Sequence, residues 1–136
     1  MKILKLQVKG EGVWQSRKEL FLYKNEEISL ITDRGRKVME EDIERGRTGF
    51  CHLRFKANIL LEVPVEIDVA AMQPGDRLVG TEVVFIVQRV GKNCHSNCPI
   101  YSKAGCSLQE EILFLEVNTP GKIEAREKLT YREKDV

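Results

Sequence analysis

The chain has 136 residues, enough for one domain and too few for two ordinary ones, and 42% of them are hydrophobic, enough to build a core without staples. Its 22 basic residues stand against 21 acidic ones. That balance argues against a general nucleic-acid binder, which needs a clear basic excess to displace counterions, and gives no reason to expect an anionic membrane surface as a partner.

The opening "MKILKLQVKG" alternates apolar and polar residues, which predicts a β-strand; its apolar run is too short for the core of a secretory leader. "KGEG" (9–12) is a turn signal, and Trp14, in the "GVWQSRKE" that follows, is read as packing over one end of the fold. "ELFLY" (19–23) and "EISLI" (27–31) are further short strands. "GRKVMEEDIERG" (35–46) predicts a helix with Val38, Met39 and Ile43 near one face, Asp33 as its cap and Gly46 as its stop. Glu40, Glu41 and Asp42 are read as its solvated face.

Strands are predicted again at "FCHLRF" (50–55), "ILLEVPVEI" (59–67), "EVVFIVQRV" (82–90) and "EILFLEV" (111–117). Pro64 suggests an edge or a bulge in the second of these. "QPGD" (73–76) and "TPGK" (119–122) are turns, with Gly75 and Asp76 as turn residues. The charged tail "EAREKLTYREKDV" is expected to add a short strand or helix, or to fray. About seven short strands with one helix are the pattern of a small, mostly β barrel. No stretch reaches the length of a membrane span, and the cytoplasm is the expected location.

The chemistry concentrates in "KNCHSNCPIYSKAGC" (92–106), spaced Cys94-x3-Cys98-x7-Cys106 with His95 beside the first cysteine. It follows a predicted strand, so it belongs to a loop on a rigid scaffold. Lys92, His95 and Lys103 favour the thiolate, the nucleophilic and metal-binding form. Cys94, Cys98, Cys106 and His95 count four ligand atoms for zinc, although adjacent Cys94 and His95 point apart on an extended backbone. A disulfide is disfavoured in a reducing compartment. A reactive thiol beside a second thiol, able to hold sulfane sulfur or a soft metal, also fits, as do plain buried cysteines. Spacing alone leaves these open. Cys51 reads as a small core residue, and His52 then faces the other side of its strand. Arg89 and Lys92 flank the cluster and offer charge-assisted donors for a phosphate; solvated charge is the plainer reading. Asn58 is either a ligand donor or a turn residue.

Several of these pieces together resemble a known family. They are "EEISLI" (26–31), Phe55-x-x-Asn58-Ile59, Pro74-Gly75-Asp76-x-Leu78-x-Gly80, Gly91-Lys92-x-Cys94-His95-x-x-Cys98-x-Ile100 and Gly105-Cys106. The chain resembles the MOSC domain, named for the C-terminal domain of molybdenum cofactor sulfurase, and most of all its small stand-alone bacterial type. The resemblance spans roughly residues 26 to 125 of a single domain covering 1–136. It implies a closed β-barrel of the MOSC or pyruvate-kinase-barrel-like type with one or two short helices. It implies a sulfur-carrier or molybdenum-cofactor-binding module. Cys98 would be the reactive thiol, Cys94 its partner and Cys106 a third thiol; Asn58, Arg89, Lys92 and His95 would be candidate cofactor contacts. Implied partners are a cysteine desulfurase or proteins of molybdenum cofactor biosynthesis. A non-catalytic binding module with structural zinc on Cys94, Cys98, Cys106 and His95 is the competing reading. No complete catalytic constellation is visible, and no lysine stands out as a Schiff-base site for pyridoxal phosphate. The family's Gly-Asp-x-His-x-Gly stretch is replaced here by "FLYKNEE" (21–27), and its Met-Pro-x-Glu-Gly-Ile-Phe-Ala stretch by "LQEEILFLEV" (108–117).

Overall fold

The computed structural model describes residues 1–46, 56–91 and 107–134. β1 (Lys2–Gly10) and β2 (Val13–Arg17) form a hairpin whose two connecting residues, Glu11 and Gly12, both have positive φ (51° and 80°). That geometry matches the twist of the strands it joins. β3 (Glu19–Leu22), β4 (Glu27–Thr32) and helix α1 (Asp33–Glu44) follow, then β5 (Ile59–Glu62). β4 and β5 run parallel, so the connection between them crosses over, with α1 as part of it. After β6 (Arg77–Val79) and β7 (Val84–Val90) come a short helical turn, α2 (Ser107–Glu110), and then β8 (Ile112–Thr119), β9 (Gly121–Glu124) and β10 (Thr130–Arg132).

Eight strands pair in the order β10-β6-β7-β8-β4-β5-β1-β2, and β3 pairs with β9. Alternation along these strands sends Ile28 and Leu30 of β4, Phe85 and Val87 of β7, and Leu113, Leu115 and Val117 of β8 into one core with Ile3, Leu6, Ile59, Leu61 and Leu78. The opposite faces of β4 and β8 present Ile31 and Ile112, which pack with Met39 of α1 and with Ala57. The helix therefore lies on the outside of the sheet.

The mostly β character of the fold agrees with the sequence reading; closure of the barrel does not appear as a continuous ladder. Between the start of β1 and residues 126–129, which lead into β10, there is one isolated bridge, Lys2 to Lys128. Around it are backbone hydrogen bonds from Ile3 N to Glu127 O (2.8 Å), Arg126 N to Ile3 O (2.7 Å) and Leu129 N to Met1 O (2.9 Å). As far as Lys134, the tail adds β10 rather than fraying. Leu129 is buried, and Tyr131 donates its hydroxyl to Asp76 at 2.6 Å.

Asp76 locks the turn before β6. Its carboxylate also accepts from the backbone N–H of Gln73 (2.8 Å) and of Lys134 (3.0 Å). Burial acts to raise its pKa, but the bonds from Tyr131, Gln73 and Lys134 outweigh it and hold the carboxyl below its ordinary value. Burial and the same bond push Tyr131 up to about 12.

Several expectations change in detail. Thr32, not Asp33, caps α1: its side chain accepts from Gly35 N at 3.0 Å, while Asp33 accepts from Val63 N at 3.2 Å. The buried face of α1 is Gly35, Met39 and Asp42, and Val38 is exposed, so the acidic run is not wholly a solvated face. The strand predicted over 59–67 ends at Glu62; Pro64 accepts from Ile67 N in a turn instead. Gly46, with φ 70°, ends the helix as expected. The strand predicted over 50–55, with Cys51 and His52, lies outside the described residues. Among the described residues no helix is long and apolar enough to cross a membrane.

Candidate functional site

β7 carries the feature that shapes the site. Phe85 and Val87 point into the core, so unbroken alternation would send Arg89 inward after them. The register shifts between Val87 and Arg89: Val87 pairs with Leu115, and Arg89 pairs with Phe114. Gln88 is the extra residue of a β-bulge, a device that re-aims side chains and is frequent beside functional sites. Arg89 is thereby turned onto the outer face, where it is exposed, and Val90 resumes packing against the core. The Arg89 guanidinium lies over the Phe114 ring, 4.4 Å from its centroid, a cation–π contact worth about 0.5–1 kcal/mol at an exposed position.

This pair forms part of a cleft of about 520 Å³ lined by Glu27, Ile28, Ser29, Asn58, Gln88, Arg89, Phe114 and Leu115. Cross-strand pairing orders its floor. Ser29, Phe114 and Arg89 form one row; Glu27 and Glu116 lie opposite each other in the next. Gln88 Nε2 donates to Glu116 Oε2 at 2.6 Å. Neither Arg89 nor Glu27 forms an ion pair with a described residue.

Asn58 and Arg89, far apart in the chain, thus reach the same cleft, but Asn58 serves the fold. Its Oδ1 accepts from Ser29 N (3.0 Å) and Ser29 Oγ (3.2 Å), and its Nδ2 donates to Gln7 O (3.1 Å). Its backbone N–H donates to Ser29 Oγ, and its carbonyl accepts from Gln7 N. The side chain ties β4, β5 and β1 together, with one amide hydrogen left uncommitted among the described residues.

Lys92, Cys94, His95, Cys98 and Cys106 lie outside the described residues. The two ends of the segment that carries them are held together. Gly91, with φ 76°, donates to Ile112 O at 2.7 Å and lies so close to the Gln109 carbonyl that a Cβ there would overlap it. Beyond α2, Glu111 accepts from Thr32 Oγ1 and approaches Arg34 Nε at 3.9 Å; its carbonyl accepts from Thr32 N at 3.1 Å. Gly35 leaves room for the Glu111 side chain, since a Cβ at 35 would strike Glu111 Cβ. Sequence reasoning missed Phe114 and Glu27 as parts of a cleft. The register with Arg89 that makes them neighbours depends on the bulge.

No family model matches the chain, and no curated protein matches it. Among solved structures, the crystal structure of YiiM from Geobacillus stearothermophilus aligns with a TM-score of 0.56 at 16% identity, covering 97% of this chain and 73% of that one. YiiM is a MOSC-domain protein, and the fold of this chain is MOSC-like.

Proposed function

We propose that this chain is a sulfur-carrier module of the MOSC type, with Cys98 as the carrying thiol and Cys94 and Cys106 as its neighbours. The supporting observation is the joining of Gly91 to Gln109 and Ile112, which brings both ends of the cysteine segment to one point on a rigid sheet. The MOSC-like fold and the Gly91-Lys92-x-Cys94-His95-x-x-Cys98 pattern agree with it.

In the transfer step the Cys98 thiolate attacks the terminal sulfur of a donor persulfide. A new S–S bond forms to Cys98 Sγ as the donor's S–S bond breaks. The electron pair of the broken bond leaves on the donor thiolate, which takes up a proton. No outside oxidant or reductant is needed. Attack by Cys94 on Cys98 Sγ then expels hydrosulfide as the carried sulfur and leaves a Cys94–Cys98 disulfide, which a thiol reductant reopens.

Molybdenum cofactor maturation is the destination that the resemblance suggests. A pterin phosphate needs converging donors, and the described cleft offers one guanidinium in a lining that also holds the Glu27 carboxylate, with Glu116 paired opposite Glu27, while Asn58 is committed to the fold. The described residues do not fit that group; Lys92 and His95 lie outside them.

The test is anaerobic incubation with a small-molecule persulfide, followed by persulfide-selective alkylation and peptide mapping. The label is expected on the peptide with Cys98, lost in Cys98→Ser and retained in Cys106→Ser. Equal labelling of wild type and Cys98→Ser would refute the assignment.

A further inference from the structure

We propose that the outer cleft at the β7 bulge binds a small zwitterion, an α-amino acid or short peptide, with Arg89 taking its carboxylate and Glu27 its ammonium group. Arg89 is set there by a break in strand parity, is braced on Phe114, and keeps its planar fork of donors without a described carboxylate partner. Such a fork suits a planar carboxylate. Glu27 lines the same cleft from β4, and β8 separates its strand from β7. Two strand spacings across and one same-face row along set the two backbones roughly 12 Å apart, a span that two long side chains and one amino acid between them can bridge. Glu116, opposite Glu27, accepts one bond from Gln88 at Oε2 and keeps its charge, which adds to the pull of Glu27 on an ammonium group at this side of the cleft.

The charge pattern selects against simpler ligands. A phosphate dianion meets repulsion from Glu27, and a bare amine meets it from Arg89. Only a ligand carrying both signs matches both ends. The cleft begins where β7 runs to Gly91, the residue from which the cysteine segment departs. That places the persulfide of a sulfur-bearing amino acid as the donor, with the parent amino acid binding in the same way; this role, unlike the binding itself, rests on the carrier reading.

The probes are L-cysteine, cysteamine (no carboxylate), 3-mercaptopropionate (no ammonium) and inorganic phosphate. Each is titrated anaerobically, under reducing conditions, into the full chain and followed by backbone amide shifts. L-cysteine is expected to shift residues of the cleft, and the three other probes to bind at least about tenfold more weakly, a gap equal to one missing ion pair of about 1.4 kcal/mol. Arg89→Gln and Glu27→Gln should each weaken L-cysteine by about the same factor, and Arg17→Gln, on exposed β2, should not. If 3-mercaptopropionate or phosphate matches L-cysteine, or Glu27→Gln has no effect, the zwitterion site is refuted; so it is if L-cysteine moves no cleft residue. Cys98→Ser separates the two proposals. Cysteine binding that persists in it while wild type takes up no persulfide leaves the site standing and the carrier fallen. Persulfide uptake without cysteine binding does the reverse.

Discussion

Replacing Asp76 by asparagine perturbs the fold at one atom and has a calculable result. The carboxylate accepts from Tyr131 Oη, Gln73 N and Lys134 N, with Gln73 and Tyr131 sharing Oδ2 and Lys134 alone on Oδ1. An asparagine places its NH2 at one of those positions. The less costly choice faces Lys134 N, losing one charge-assisted bond and setting two donors against each other. Hydrogen bonds to charged groups contribute about 1.5–3 kcal/mol each, so a loss of about 2–3 kcal/mol is expected from urea unfolding at neutral pH. Tyr131→Phe should cost about 1.5–2 kcal/mol, and less when combined with Asp76→Asn, with a coupling of about 1 kcal/mol in the double-mutant cycle.

The pH dependence follows from the same bonds. Asp76 has a folded-state pKa below its unfolded value, so its contribution is complete above the unfolded carboxyl pKa. It is lost as pH falls through the lowered folded pKa, and Asp76→Asn should flatten that acid limb. Tyr131 moves the other way, from 10.0 to about 12, so its contribution is complete below 10.0 and fades as pH rises towards about 12. A loss under about 0.5 kcal/mol for Asp76→Asn, the level of an ordinary surface change, would refute this account of the turn.

Three further predictions use the same unfolding assay. Gly91→Ala forces a left-handed backbone on a residue with a Cβ and drives that Cβ into the Gln109 carbonyl; it should cost at least about 2 kcal/mol, and a neutral result would show that the two ends are not held as described. Thr32→Ala removes the cap of α1 and the bond to Glu111, for about 1–2 kcal/mol, whereas Thr32→Ser should recover most of it. Phe85→Ala, at a fully buried position, should cost about 3–5 kcal/mol through lost burial and the cavity left behind.

The sequence showed its fold where strands are buried on one face. β1, β4, β7 and β8 carry the period-two pattern because one side of each meets the core. β2, β6 and β10 escaped it for physical reasons. "VWQSR" lies almost wholly exposed, so nothing selects an alternation, and "RLV" and "TYR" are too short to show one. The helix was legible from its apolar spacing, but its register was not: Asp42 is buried inside an acidic run that looks solvated. At the site, charge identified Arg89, while its facing depended on one unpaired residue, Gln88, which no periodicity announces. Asn58 was legible as a special residue, but its partners were not, because Ser29 and Gln7 come from distant strands.

The carrier assignment is tested most directly by native mass spectrometry of anaerobically purified protein, wild type beside Cys98→Ser. A wild-type species heavier by one sulfur atom is expected, absent from a Cys98→Ser protein that remains folded. A bound zinc ion in the wild type, lost in Cys98→Ser together with the fold, would contradict it and make the cysteines a structural metal site.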